Sequence, residues 1–211
     1  MVLVSINYAY AVDFSGALRI IDISDPHSLT LIGSFETSVF NRRWLPYSLD
    51  IQGDYAYLGC SKGLMAIDIS DPTLPQLAGV YDQFYDHVNS VVVRDSIAYC
   101  TYAHQTGSDG SGMSGMTILN ISDPTYPFKL ISFITGRGLF NRVLISDNII
   151  FASGWINDGI YFYSLEDLLY PLRNIEFQRN PKSVMPLPNS NKCYIATTMD
   201  GDIFTFKIHG L

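Results

Sequence analysis

The chain has 211 residues, of which 47% are hydrophobic, with a net charge of −7 and a pI of about 4.8. This length is enough for a buried core, and the acidic balance argues against nucleic acid, whose phosphates require a basic surface. No apolar run reaches the roughly 20 residues that span a bilayer, and residues 1–4 lack the features of a signal peptide. We therefore expect no membrane insertion and no signal peptide in this chain.

The strongest signal in the sequence is an internal repeat. The segment Ile20–Pro26 reads IIDISDP, and it returns as AIDISDP at Ala66–Pro72 and as ILNISDP at Ile118–Pro124. Weaker copies lie at Ile160–Leu165 and Ile203–Ile208. A short strand with an aromatic end precedes each copy, and these ends, Tyr10, Tyr57, Tyr99, Phe151 and Tyr194, are 47, 42, 52 and 43 residues apart. A period in the forties, made of short apolar runs and turn residues, is typical of β-propeller blades.

Four strands per repeat, A to D in chain order, are clearest in the third repeat. There the pattern predicts strands at Val88–Val93, Ile97–Tyr102, Met116–Ile121 and Phe128–Ile134. The Ser-Asp-Pro element joins C to D, and we expect the side chains of Asp22, Asp68 and Asn120 to bond the local backbone there. The connection from His104 to Gly115, between B and C, is rich in Gly and Ser, which predicts a mobile loop.

The sequence thus predicts an all-β fold. We expect a single β-propeller domain over residues 1–211, with about five blades of four antiparallel strands each. The repeats fall near residues 1–39, 40–86, 87–138, 139–180 and 181–211. The chain begins within a strand A and ends just after a strand C, so two interpretations stay open. Either it is a segment of a larger protein, or its last blade has three strands.

The repeats also resemble a known family. Leu18–Pro26 and Leu64–Pro72, with the strand ending in Ala-Tyr before them and the second prolines Pro75 and Pro127, are similar to the LVIVD repeat. That resemblance implies a WD40-like β-propeller and favours an extracellular or cell-surface location, since the family occurs mostly in bacterial and archaeal surface or secreted proteins. It implies no catalytic residues.

Reactive groups are sparse in this sequence. Cys60, Cys100 and Cys193 have no CxxC spacing, so we expect unpaired, buried thiols. The histidines show no metal-binding spacing, and no phosphate-binding or nucleophile motif is present. We therefore expect no metal, no cofactor and no catalytic residue, although Asp86 and His87 are an adjacent acid and imidazole.

Charge is segregated between the two faces that a propeller would have. The A–B and C–D turns of one face carry most of the acids, whereas the D–A connections of the other face carry Arg42, Arg43, Arg137, Arg142, Arg179 and Lys182. Loops rich in Arg and aromatic residues on a rigid scaffold are typical of recognition surfaces. The candidate binding residues are Arg42, Trp44, Tyr85, His87, Arg137 and Arg142. Converging guanidinium groups would suit a carboxylate, a sulfate or an acidic peptide.

Three functions are compatible with this sequence. The leading hypothesis is a non-catalytic module that binds a protein or a small anionic ligand at the D–A and B–C face. The second is an enzyme with its active site at the mouth of the central channel. The third is a purely structural repeat domain, in which the loop Asn and Arg side chains only bond their own backbone. Fold alone does not choose among them.

Overall fold

A computed structural model gives the fold. It describes the whole chain except residues 14, 40–41, 84–86, 106–111, 138–139, 155–158, 167–172, 176–180, 187–192, 199–202 and 208–211. The described residues form strands and turns, with no helix among them. This is the expected result for a chain whose apolar residues alternate in short runs between turn residues.

Most strands belong to five antiparallel sheets. Sheet 1 contains β1 (Val2–Val4), β2 (Tyr8–Asp13), β3 (Ala17–Asp22) and β4 (Thr30–Glu36). Sheet 2 contains β7 (Pro46–Gln52), β8 (Tyr55–Cys60), β9 (Gly63–Asp68) and β10 (Gln76–Tyr81). Sheet 3 contains β11 (Val88–Arg94), β12 (Ile97–Gln105), β13 (Gly112–Asn120) and β14 (Phe128–Arg137). Sheet 4 contains β15 (Phe140–Ser146), β16 (Ile149–Gly154), β17 (Ile160–Ser164) and β18 (Arg173–Ile175). Sheet 5 contains β19 (Pro181–Pro186), β20 (Cys193–Thr198) and β21 (Ile203–Lys207).

Each sheet pairs its strands in chain order, as blades of a propeller do. A sixth, two-stranded sheet, β5 (Ser38–Val39) with β6 (Arg42–Arg43), lies in the connection between sheets 1 and 2. The predicted all-β propeller architecture, with four strands in each blade and three in the last, is confirmed in the described residues.

The chain divides into two compact units, residues 1–100 with 117–132 and residues 101–116 with 133–211. The first unit holds sheets 1 and 2 and part of sheet 3, and its apolar residues form two cores. The core between sheets 1 and 2 is built from Tyr10, Val12, Leu18 and Ile20 of sheet 1 and from Leu49, Leu58, Cys60, Met65 and Ile67 of sheet 2. The core between sheets 2 and 3 is built from Tyr57, Leu64, Ala66 and Tyr81 of sheet 2 and from Val91, Ala98, Cys100 and Leu119 of sheet 3.

We call the face of a sheet that is directed toward the preceding sheet in chain order its leading face, and the face directed toward the next sheet its trailing face. The trailing face of sheet 1 packs on the leading face of sheet 2, and the trailing face of sheet 2 packs on sheet 3. Because side chains alternate along a strand, successive residues such as Leu64 and Met65 enter different cores. This explains the nearly continuous apolar runs of strands B and C in sheet 2, which are covered on both sides.

A close approach of backbone also links successive sheets of the first unit. Gly33 of β4 lies against the Pro72 carbonyl, in the C–D turn of sheet 2, and a Cβ atom there would collide with that oxygen. Gly79 of β10 lies in the same way against Pro124 and Thr125, in the C–D turn of sheet 3. Each strand-D glycine thus makes room for the Ser-Asp-Pro turn of the next sheet.

The second unit contains sheets 4 and 5, which pack together through β15 and β16 on one side and β19 on the other. Its aromatic residues meet edge to face, with centroids 5.2 Å apart for Phe151 and Phe162 and 5.4 Å for Phe140 and Tyr161. All four but Tyr161 are buried.

The predicted loop at His104–Gly115 was wrong at both ends. His104 and Gln105 belong to β12, and residues from Gly112 to Gly115 belong to β13, so only 106–111 lie outside the described residues. Gly115 shows why small residues extend a strand here, because a Cβ atom would collide with the Phe133 carbonyl and the Tyr102 hydroxyl. Low hydrophobicity had suggested a loop, and the pairing of the two strands outweighed it.

The predicted alignment of the fourth and fifth repeats was also shifted. Phe151 pairs with Phe162 as Tyr10 pairs with Ile20, so Ser164, and not Phe162, occupies the position of Asp22. Tyr194 pairs with Phe206 in the same manner, which moves the fifth copy by three residues. The alternation of apolar residues fits several registers, and only the strand pairing distinguishes them.

Candidate functional site

The D–A and B–C connections of sheets 1 and 2 are joined by hydrogen bonds. The Thr37 hydroxyl donates to the carbonyl of Gly16, in the B–C turn of sheet 1, at 2.9 Å, and it also contacts the Trp44 carbonyl. The backbone N–H of Ser61, in the B–C turn of sheet 2, donates to the Leu45 carbonyl at 2.8 Å. These bonds hold the D–A connection firmly against both B–C turns, so that the two kinds of connection share one end of these sheets.

A β-bulge recurs at that end of strand A. The register shifts between Pro46 and Ser48, between Phe140 and Arg142, and between Pro181 and Ser183, which leaves Tyr47, Asn141 and Lys182 as the extra residues. A bulge turns the side chain of its extra residue out of the regular alternation and is common beside functional sites. This feature could not be predicted from the sequence, because strands that are apolar on both faces show no clear alternation for an extra residue to interrupt.

The bulge at Tyr47 brings this residue next to a predicted site residue. The ring of Tyr47 lies against the imidazole of His87, with centroids 5.4 Å apart and an angle of 49°. Both side chains are half-buried. His87 stands just before β11, at the D–A end of sheet 3, so an aromatic residue and an imidazole from adjacent sheets meet there.

The predicted site residues fall in both units. Arg42 lies on β6, Trp44 follows it, and His87 precedes β11, all in the first unit. Arg137 ends β14, and Arg142 lies on β15 with an exposed side chain, both in the second unit. Tyr85 is outside the described residues. Whether the six residues converge on one ligand stays a prediction.

Trp44 is buried, unlike an aromatic residue on an exposed binding surface. Its side chain is only 3% exposed and belongs to the core between sheets 1 and 2. Its indole Nε1 is buried without a hydrogen-bond partner in the described part of the chain. Trp44 therefore anchors the D–A connection to the core.

The two Phe-Asn-Arg segments are not equivalent, although their sequences agree. Arg42 lies on β6, which pairs with β5, whereas Phe140, Asn141 and Arg142 lie within β15. By strand pairing, Phe140 corresponds to Pro46 and Arg142 to Ser48. Arg42 and Arg142 thus reach the D–A end from different elements.

The opposite end of the sheets carries turns that use their own acids. The Oδ1 atoms of Asp22, Asp68 and Asn120 each accept the backbone N–H two residues ahead at 2.9 Å, as predicted. A second side chain in each turn, that of Asp25, Asp71 and Asp123, does the same at 2.9 Å. The Ser70 hydroxyl and backbone N–H hold the pKa of Asp68 below its usual value, and the Ser24 bonds do the same for the pKa of Asp22. These carboxylates stabilise turns.

Ser164 makes the corresponding bond in sheet 4. Its hydroxyl accepts the backbone N–H of Glu166 at 3.1 Å, and Leu165 donates to the Asn148 carbonyl as Ile69 donates to that of Asp54. The fourth repeat therefore keeps the first bonds of the C–D turn with Ser164 in the position of the Asp.

Asp50 is a carboxylate on an inner strand of the first unit. Its Oδ2 accepts the N–H of Val93, on the neighbouring strand A, at 2.7 Å, and its Oδ1 accepts the N–H of Ile51 at 2.9 Å. Burial raises the pKa of Asp50, and the two hydrogen bonds oppose that rise. Leu3 and Leu144 pair with the aromatic end of strand B in their own sheets, as Asp50 does in sheet 2. Asp50 therefore stands where two other blades have leucine, and its carboxylate joins two blades.

Two of the three thiols lie in the described part of the chain. Cys60 and Cys100 are unpaired and buried, and burial raises the pKa of both. The prediction of unpaired cysteines is confirmed for these two, while the side chain of Cys193 is outside the described residues. In the part of the chain that the structure describes, no group of His, Cys, Asp or Glu could hold a metal ion, and no helix is long and apolar enough to cross a membrane.

Comparison with known proteins supports the same fold. The LVIVD repeat matches residues 1–37 and 47–83, which are the residues of sheets 1 and 2. No curated protein matches the chain in sequence. The computationally designed Ika8 protein superimposes with a TM-score of 0.71 at 15% identity, covering 98% of this chain and 57% of that protein.

Two natural structures are also similar. The Cps50 (Swd1) β-propeller domain of Myceliophteria thermophila gives a TM-score of 0.70 at 16% identity, over 96% of this chain and 67% of that one. Raptor of Chaetomium thermophilum gives 0.74 at 9% identity, over 97% of this chain but only 18% of Raptor. At these identities the likeness concerns the fold alone.

Proposed function

We propose that this chain, a β-propeller protein whose first two blades are LVIVD repeats, is a non-catalytic binding module. Its partner is a protein or a small ligand that presents a carboxylate or another oxyanion. The binding surface is the end of the sheets where the D–A and B–C connections lie. In the first unit Arg42 would supply positive charge at this end and His87 a ring N–H donor, and in the second unit Arg137 and Arg142 would supply positive charge at the corresponding end.

The observation that carries this proposal is the contact between Tyr47 and His87 beside a recurrent bulge. It supplies a half-buried aromatic ring on β7 and a half-buried imidazole just before β11. Exposed charge pairs contribute little alone, so the aromatic contact would supply part of the affinity. Trp44 and Thr37 act indirectly, because they fix the connection that carries Arg42.

The opposite end is a poorer candidate for an anion. Its exposed acids, such as Asp25, Asp71 and Asp123, repel anions and already serve in turns. The signature of the repeat is therefore explained by folding, and function depends on the less repetitive D–A connections.

Titration by NMR tests the proposal, with sodium selenate and then a short Glu-rich peptide as probes. We expect shifts at His87, Tyr47 and Arg142, and about tenfold weaker binding of the peptide in His87→Ala or Arg142→Ala, about 1.4 kcal/mol for each. Arg94→Ala, in an A–B turn at the other end, is the matched control and should bind normally. Shifts confined to the A–B and C–D turns, or equal losses in the control, would contradict the proposed face.

A further inference from the structure

The leading face of sheet 1 differs from its counterparts. This face corresponds to the one that sheet 2 buries, but within its own unit no described strand covers it. Four of its apolar side chains are largely exposed: Val2 at 60%, Val4 at 69%, Leu29 at 63% and Leu31 at 57%. Strand pairing gives Val2 the position of Leu49, which is 1% exposed. An exposed apolar patch of this kind indicates an interaction surface.

The other half of the leading face is polar. Asp13 and Arg19 stand where sheet 2 has Cys60 and Met65, and Ser34 stands where it has Val80. The Arg19 guanidinium lies 3.9 Å from Asp13 and 3.5 Å from Glu36, and it donates to the Ser34 hydroxyl at 2.7 Å. The Asp13 and Glu36 side chains are 46% and 63% exposed, so both carboxylates can accept further bonds.

This polar strip decides which occupant fits. The trailing faces of sheets 1 and 2 are apolar, as Tyr10, Leu18 and Ile20 show, and a face of this kind would remove water from the ion group without replacing its hydrogen bonds. A surface with the same division into a polar and an apolar half would pair both. The leading face itself has this division, and an interface of identical patches is what a two-fold dimer requires.

We propose that the leading face of sheet 1 is a dimerisation surface, occupied by the same face of a second copy of this chain. With the two-fold axis parallel to the strands, β4 of one copy lies over β1 of the other, and β3 lies over β2. Leu31 then meets Val4, Ile21 meets Ala9, and Arg19 reaches Asp13 of the second copy. In this arrangement the polar half of one face packs on the polar half of the other, and the two apolar halves pack together.

The expected dimer is weak. Four strands about 4.8 Å apart and six residues of about 3.3 Å each give a face roughly 20 Å on a side. Two such faces place the contact at the small end of specific interfaces, below about 1,200 Å² in total. Association should therefore depend on concentration over the range that sedimentation experiments reach.

Sedimentation equilibrium of the full chain tests the dimer, with unfolding curves recorded for every variant. Leu31→Lys should weaken association at least about tenfold with little effect on folding, because sheet 3 carries Lys129 at the same position. Its matched control, Lys129→Glu, should leave association unchanged. Asp13→Arg should also weaken association, and the double exchange Asp13→Arg with Arg19→Asp should restore it.

Two results would overturn the proposal. One is a chain that stays monomeric at the highest concentration reached in the sedimentation experiment, because the face would then have another occupant or none. The other is a dimer that tolerates Leu31→Lys and Asp13→Arg, since its contact would then lie elsewhere.

Discussion

Single side chains in this protein mostly serve the backbone. The acids of the repeat motif accept N–H groups in the C–D turns, Asp50 accepts one across two blades, and the Thr37 hydroxyl joins a B–C turn to a D–A connection. The residue types that catch the eye in the sequence are thus explained by local bonds. The candidate binding residues lie instead in the D–A connections, whose sequences differ from blade to blade.

The turn bond of Asp68 predicts a graded loss of stability. Asp68→Ala should lower the free energy of unfolding by about 1 kcal/mol, because the Ser70 N–H loses its acceptor. Asp68→Asn should be close to wild type, since Asn120 makes the same bond in the third repeat. Urea unfolding measures both. Asp54→Ala is the control, because its turn uses the backbone carbonyl, and a loss as large there would refute the role of the side chain.

Asp50 predicts the pH dependence of stability. Its pKa is raised above the ordinary 3.8 because burial disfavours the charge. The folded state therefore binds the proton more tightly than the unfolded state, so the contribution of Asp50 is largest below the ordinary pKa. That contribution should decline as the pH rises from about 4 through the raised pKa. Unfolding curves recorded between pH 3 and 8 should show the free energy of unfolding of the wild type falling relative to that of Asp50→Leu as the pH rises. A difference between the two proteins that stays constant with pH would contradict this prediction.

At the scale of elements, the close approach of Gly33 and Gly79 to the next C–D turn predicts which glycines matter. Gly33→Ala and Gly79→Ala should each cost about 1–3 kcal/mol, since the Cβ atom would collide with backbone oxygen. Gly53→Asp should be nearly neutral, although Gly53 has a φ of 57°. Asp95 and Asp147 occupy the same turn position with φ of 55° and 52°. Thermal unfolding would decide, and equal losses at all three glycines would contradict the argument.

The sequence predicted strands well and registers less well. Three repeats carry the Asp or Asn that fixes the C–D turn, so these turns were placed correctly. Where Ser164 replaces that residue, the alternation fitted a register shifted by two. The bulge at Tyr47 depends on how β7 pairs with β8, and the burial of Trp44 depends on the core between sheets 1 and 2. Site residues of this kind cannot be deduced from local patterns.

At the scale of the whole molecule, the protein should be purely β. The described residues contain no helix, because short apolar runs between turn residues pair as strands. Far-ultraviolet circular dichroism should show a β spectrum without helical minima near 208 and 222 nm. Native thiol titration is a companion test of this packing, since Cys60 and Cys100 should react only after unfolding. Helical content or rapid labelling of either thiol would refute the packing described.

The most direct test of the binding function is a crystal soaked in selenate, with anomalous scattering used to locate the anions. We expect anions at the D–A and B–C end, near His87 or Arg142, and fewer at the end that carries Asp25, Asp71 and Asp123. Anions distributed evenly, or bound only among those acidic turns, would contradict it.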